Sequence, residues 1–204
     1  MDWNKIPDDN IIEKTKTNLL KNNFNVQISD NKEEALKIIS DLIPEGSEIF
    51  TGGSTTLNEI GFTEFLKKGG NNWKNLKESI VNEKDPIKQH ELRKMALSSK
   101  YFVGSLQAIT ENGELLIASG SGSQIPSIAF SSENVILVVG AQKIVTDYQN
   151  GLKRLWEYCL PKEDERIKSA GGRGSSLNKI LIVEKEGSPS RKIHIILVKE
   201  SLGF

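Results

Sequence analysis

Apolar positions along the first third of the chain switch between a helical and an alternating period. Ile11, Ile12, Thr15, Leu19 and Leu20 follow the capping signal Pro7-Asp8-Asp9-Asn10 and predict an amphipathic helix that ends at Asn22-Asn23. Residues 25–29, Asn-Val-Gln-Ile-Ser, alternate as a short strand. Asp30-Asn31 and Glu33-Glu34 open a second helix, with Ala35, Leu36, Ile38, Ile39, Leu42 and Ile43 as its buried stripe and Pro44-Glu45-Gly46 as its stop. A strand at 47–51 then turns through Gly52-Gly53-Ser54 into a third helix. This order favours a parallel sheet covered by helices.

Residues 61–99 are mostly polar and helical, broken by Gly69-Gly70-Asn71-Asn72, and Asp85-Pro86 opens a helix through Ile87, Leu92, Met95 and Leu97. Tyr101-Phe102-Val103-Gly104 reads as a buried strand, residues 114–119 as another, and the unbroken apolar run at 134–140 as a strand covered on both faces. Tyr148, Leu152, Leu155 and Trp156 share one face of a helix at 147–158, which places the aromatics in a core. After the polar loop at 170–176, strands at 179–184 and 192–199 flank the turn-rich segment Glu186-Gly187-Ser188-Pro189-Ser190. They predict an antiparallel hairpin at the edge or end of the sheet. In the second strand Ile193, Ile195 and Leu197 alternate with His194, Ile196 and Val198, so it is either buried or paired with another chain.

At 204 residues, with 37% hydrophobic and 26% charged positions, the chain suits a single domain with a real core. Lys and Arg together number 27, as do Asp and Glu, and this balance argues against a nucleic-acid binder. A single cysteine, Cys159, leaves no intrachain disulfide and fits a reducing compartment. Residues 1–9 carry no apolar run of a signal peptide, and no stretch approaches the ~20 apolar residues that cross a bilayer. The expected setting is cytoplasmic.

Candidate chemistry gathers at three glycine-containing junctions. Gly52 and Gly53 let a ligand approach the backbone, while Ser54, Thr55 and Thr56 offer hydroxyls at a helix start. The same loop reads equally as a tight turn with a good N-cap. It matches neither G-x-G-x-x-G nor G-x-x-x-x-G-K-[ST]. The second junction is Ser119-Gly120-Ser121-Gly122-Ser123-Gln124, ahead of Pro126; the third is Gly140-Ala141-Gln142-Lys143, after the long apolar strand. In open α/β sheets ligands gather outside the carboxyl ends of strands, so the three junctions are expected to meet at one crevice.

The run Ala108-Ile109-Thr110-Glu111, Gly113, Leu115, the 119–124 loop, Pro126 and Val138-Val139-Gly140-x-x-Lys143-Ile144-Val145 resembles the LUD domain, the lactate-utilisation family with LutC-like members. Gly52-Gly53-Ser54 and Thr56-Leu57-x-Glu59-x-Gly61 fit its upstream half, and the likeness covers residues 8–160. It implies the fold of the glucosamine-6-phosphate deaminase, ribose-5-phosphate isomerase and coenzyme A transferase superfamily: a Rossmann-like three-layer α/β/α sandwich with a mostly parallel sheet. Residues 170–204 would add a loop and the hairpin. It also implies a role in lactate or related organic-acid metabolism beside iron–sulfur and FAD-linked partner subunits. Many relatives carry cysteines near the C-terminus; residues 170–191 have none, so no metal role follows.

Within this frame Glu111 is the candidate acid–base or nucleophilic carboxylate, because Thr110-Glu111-Asn112-Gly113 is similar to a transferase turn. The alternative is a hairpin turn at Asn112-Gly113 with Glu111 in solvent. Gly52, Gly53, Ser54, Thr55, Thr56, Glu59, Gly104, Asn112, Gly113, Gly120, Gln124, Gly140 and Lys143 are the candidate ligand-binding positions. Lys143 either neutralises an anion or is an exposed strand-end lysine; Gln124 bonds a ligand or the backbone. Glu59 faces the crevice or closes a capping box with Thr56. His90 and His194 lack metal-ligand spacing, Cys159 reads as an inert buried thiol, and Arg173 is an isolated loop arginine. Three functions follow: a binder of a small anionic or phosphorylated metabolite, a transferase or isomerase built on Glu111, or a non-catalytic assembly subunit that pairs, as a homo-oligomer or with a partner, through the last strand.

Overall fold

A computed structural model describes all 204 residues. Its strands are β1 (Asn25–Ser29), β2 (Glu48–Thr51), β3 (Lys74–Asn75), β4 (Tyr101–Gly104), β5 (Ala108–Thr110), β6 (Leu115–Ser119), β7 (Asn134–Gly140), β8 (Ile144–Val145), β9 (Lys179–Val183) and β10 (Lys192–Val198). Its α-helices are α1 (Asp9–Lys21), α2 (Lys32–Leu42), α3 (Thr55–Glu59), α4 (Phe62–Lys67), α5 (Leu76–Asn82), α6 (Pro86–Ala96), α7 (Tyr148–Arg154) and α8 (Leu160–Ser169). Side-chain caps fix several starts: Asn31 accepts from the Glu34 N–H at 2.9 Å, Asp85 from Ile87 at 2.9 Å and Asp147 from Asn150 at 2.8 Å.

Six parallel strands form the central sheet, in the order β1-β10-β7-β4-β2-β3. Strand alternation divides their side chains between two cores. Val135, Leu137 and Val139 of β7 face one core together with Leu19 of α1, Ile80 of α5 and Ala96 of α6. Ile136 and Val138 face the other, against Ala35 and Ile39 of α2, Leu57 of α3 and Phe62 and Leu66 of α4. The result is the Rossmann-like α/β/α sandwich, with one addition. A smaller sheet, β8-β5-β6-β9, packs through Ile109, Leu115 and Ile117 into the first core.

The expected hairpin of the last two strands does not form. β9 pairs antiparallel with β6 in the smaller sheet, whereas β10 runs parallel between β1 and β7 inside the larger one. The reason is two-sided apolarity. Ile193, Ile195 and Leu197 enter one core while Ile196 and Val198 enter the other, and only a central strand covers both faces. The turn-rich segment at 186–190 carries the chain from one sheet to the other.

A second difference concerns the helix after β8. It runs from α7 through a wide i→i+5 turn at Leu155–Cys159 into α8. Its buried residues are Gly151, Arg154, Leu155 and Cys159, packed on the smaller sheet, so Tyr148 and Trp156 face solvent rather than a core. The close approach requires Gly151: a Cβ there would lie 2.7 Å from the Leu116 side chain.

Candidate functional site

β7, β4 and β2 lie side by side in the parallel sheet, so the loops that leave them emerge at one edge, with β7 running three residues past its last pair with β4, Gly104 with Leu137. The β2 loop enters α3, where the Ser54 hydroxyl accepts from the Leu57 N–H at 3.2 Å. The β4 loop carries Ser105 and Leu106, and the β7 loop forms a tight turn through Ala141–Lys143. Together with the loop after β6, α8 and residues 174–177, they enclose a cavity of about 410 Å³.

Lys143 lines the cavity, and the residue is only 1% exposed. Its Nζ donates to the Thr56 hydroxyl at 2.9 Å, to the Leu106 carbonyl at 3.1 Å and to the Ser105 hydroxyl at 3.2 Å. All three partners are neutral oxygens. Burial, reinforced by the Arg154 charge, lowers the Lys143 pKa from 10.5 to about 7, against smaller opposing pulls from Cys159 and Glu59.

A second cation lies behind this wall. Arg154 is fully buried, and its Nη1 donates to Cys159 Sγ at 2.8 Å while Nε and Nη2 have no partner. Its guanidinium also stands 5.0 Å from the centre of the Tyr158 ring. Cys159 lines the cavity; burial raises its thiol pKa, although Arg154 and Lys143 pull the other way. Desolvation likewise lowers Arg154. Buried charges are costly unless compensated, and here two cations stand together without a carboxylate bonded to either. Such a donor set suits an anion rather than a metal cation.

On the cavity lining, Arg166 of α8 pairs bidentately with Glu163 at 2.6 and 2.7 Å. Lys77, outside the lining, donates to the Gly52 carbonyl at 2.8 Å, and the Gln124 side chain packs tightly on Gly52, leaving no room for a Cβ there.

Gly53, Ser54, Thr55, Thr56, Gly120, Gln124 and Lys143 line the cavity, with Gly52 just behind. The other candidates lie elsewhere. Glu111 sits against α1: Lys14 pairs with its carboxylate at 2.7 Å, and Asn18 donates to its carbonyl at 2.9 Å. Asn22 of the same segment donates to the Asn112 and Gly113 carbonyls. Helix α1 thus claims this turn, and none of its residues lines the cavity. Glu59 accepts from the Gly203 N–H at 2.6 Å, and the α3 cap belongs to Ser54, not to a Thr56–Glu59 box. Gly104 makes room for the Phe102 ring, and Gly140 for the backbone of residues 200–202. Among the cavity groups that carry no motif are Ser105, Gln107, Cys159, Glu163 and Arg166. Ser105 had a signal, since Gly104-Ser105 repeats the Gly53-Ser54 pairing beyond a strand end.

The family model of the LUD domain matches residues 12–198, nearly the whole chain. The chain belongs to the LUD domain family. A crystal structure of a DUF162 family protein from Deinococcus radiodurans is similar in fold to this LUD domain at a TM-score of 0.59 and 10% identity, over 95% of this chain and 99% of that one. A D-ribose-5-phosphate isomerase in complex with phospho-erythronic acid is similar at a TM-score of 0.39 and 12% identity, over 84% of this chain and 95% of that one. No curated protein matches this LUD domain. None of its helices is long and apolar enough to cross a membrane.

Proposed function

We propose that the cavity binds a small anionic metabolite, an organic acid or a phosphorylated one, in metabolism of the lactate-utilisation type. One observation carries this reading: Lys143 is buried inside a cavity and held only by neutral oxygens. A bound anion offsets a charge whose desolvation the fold otherwise bears alone. Ser54, Thr55, Thr56, Gly120 and Gln124 supply hydrogen-bonding groups around it. In this reading iron–sulfur and FAD-linked subunits are the electron-transferring partners. The test is thermal stabilisation of the purified chain by L-lactate, pyruvate, coenzyme A and sugar phosphates, with Lys143→Ala as control. A wild-type shift that the variant lacks supports the reading; no shift with any compound refutes it.

A further inference from the structure

We infer that Lys143 is a covalent group as well as a charge: its amine condenses with the aldehyde or ketone carbonyl of the bound anion, a 2-oxo acid being the simplest such ligand. The inference rests on the anion-binding reading of the same cavity and adds a chemistry to it.

The geometry supports the step at each stage. Lys143 lines the cavity although the residue is only 1% exposed, so its side chain borders ligand space while nearly all of it is withdrawn from bulk water. No ion pair ties up the nitrogen, because its partners are two hydroxyls and a carbonyl. Burial of the amine first, and then the charge of the neighbouring Arg154 with its two unpartnered nitrogens, favours the free amine. Thr56 and Ser105 also contact each other at 3.3 Å, and a hydroxyl both accepts and donates a proton.

The balance is simple. The nitrogen lone pair forms the C–N bond, and the carbonyl π pair moves onto oxygen. That oxygen takes the proton the nitrogen gives up, relayed through the Ser105 or Thr56 hydroxyl. The carbinolamine oxygen takes a proton from solvent through the same hydroxyls and leaves as water, while the nitrogen lone pair forms the C=N bond of the iminium ion. The step consumes no oxidant or reductant, and the proton taken up appears as the product's positive charge beside the ligand's carboxylate.

The experiment is reductive trapping. The full chain is incubated with pyruvate or glyoxylate and sodium cyanoborohydride at neutral pH, then examined by intact mass and peptide mapping, with L-lactate as the equally charged acid lacking a carbonyl. The expected result is an adduct at Lys143, formed on the order of a hundredfold faster than at exposed lysines. Lactate gives none, and Lys143→Arg, which keeps the cation, loses the adduct. The wild-type map decides the matter even if the variant folds poorly. Adducts only on exposed lysines overturn the inference. If lactate and pyruvate still stabilise the chain in that case, anion binding survives without the covalent step; if neither does, both readings fall.

Discussion

Lys143 Nζ and Thr56 Oγ1 meet at 2.9 Å although 87 positions separate them in the chain. Thr56 is the second residue of α3, and Lys143 closes the turn after β7, so the bond spans the two loops that flank the end of β4. The Ser105 hydroxyl, from the β4 loop, reaches the same Thr56 oxygen, which in turn donates to the Leu202 carbonyl. Three strand ends and the segment after β10 are tied at one threonine.

Thr56→Val tests this junction. The substitution keeps the shape and removes an acceptor from a buried cation, a loss of about 1–3 kcal/mol by the usual cost of an unsatisfied buried group. Urea unfolding should show a lower midpoint with an unchanged slope. A variant as stable as wild type would mean that Ser105 and Leu106 satisfy the amine alone.

The amine also makes stability depend on pH, and the sign follows from its lowered pKa. Between about 7 and 10.5 the unfolded chain binds a proton that the folded chain does not, so the contribution of Lys143 to stability rises with pH across that window and is lost as pH falls toward 7. Below it both states are protonated and the burial cost is complete. The charged groups around the amine are Arg154 on α7, Glu59 on α3 and the Cys159 thiol between α7 and α8. Cys159 acts oppositely above pH 9.0, because its raised pKa keeps a proton that the unfolded chain releases. In a Cys159→Ser background, Lys143→Met should therefore be the more stable chain near neutral pH. Its advantage should shrink by a few kcal/mol as the pH rises by about three units. Anion affinity should fall over the same range as the amine loses its charge.

Gly53→Val separates the cavity from the fold. No atom lies within 4 Å of a Cβ built at Gly53, and the residue lines the cavity, so a valine adds bulk at the lining without a clash. The expected outcome is a melting temperature within a few degrees of wild type, as for a surface substitution, together with loss of the ligand-induced shift. Retention of that shift would place the ligand away from the β2 loop.

How far the sequence reveals such a site depends on whether the deciding contacts are local. The apolar run at 134–140 predicts a strand covered on both faces, and β7 occupies those residues. Glycines at the ends of β2 and β7 mark loops that leave the strands on either side of β4, because a parallel sheet aligns its carboxyl ends. The placement of β10 is not local: turn residues at 186–190 look the same whether the next strand pairs with its predecessor or crosses to another sheet. Only the apolar residues on both faces of 193–198 carried the clue. Glu111 shows the same limit, since its Asn-Gly turn is legible but Lys14, Asn18 and Asn22 of α1 determine what it faces. Arg154 was hidden because a charged residue within an apolar helical stripe looks like its solvated edge.

Glu111→Gln addresses the carboxylate that the turn motif favoured. Its one ion pair is with Lys14, whose side chain is 57% exposed against 15% for Glu111, and a pair open to solvent on the lysine side contributes about 1 kcal/mol. The variant should lose no more than that in chemical denaturation and should keep the full thermal response to anions and the Lys143 adduct. Loss of the adduct with the fold intact would return Glu111 to the mechanism.

Arg154→Met asks why the fold keeps a buried guanidinium with two unpartnered nitrogens. If its purpose were structural, truncating it would destabilise the chain, as removal of a satisfied buried group does. The contacts argue otherwise: a thiol at 2.8 Å and an aromatic ring are weak return for a desolvated cation. Methionine fills similar space, so stability should hold or improve by up to about 4 kcal/mol. The functional readout should move in the other direction. With the like charge gone, the Lys143 amine regains proton affinity, and the midpoint of its trapping profile should shift upward from about 7. A stable variant with a higher midpoint would identify Arg154 as a residue that tunes Lys143, retained for the chemistry of the cavity at a cost to the core.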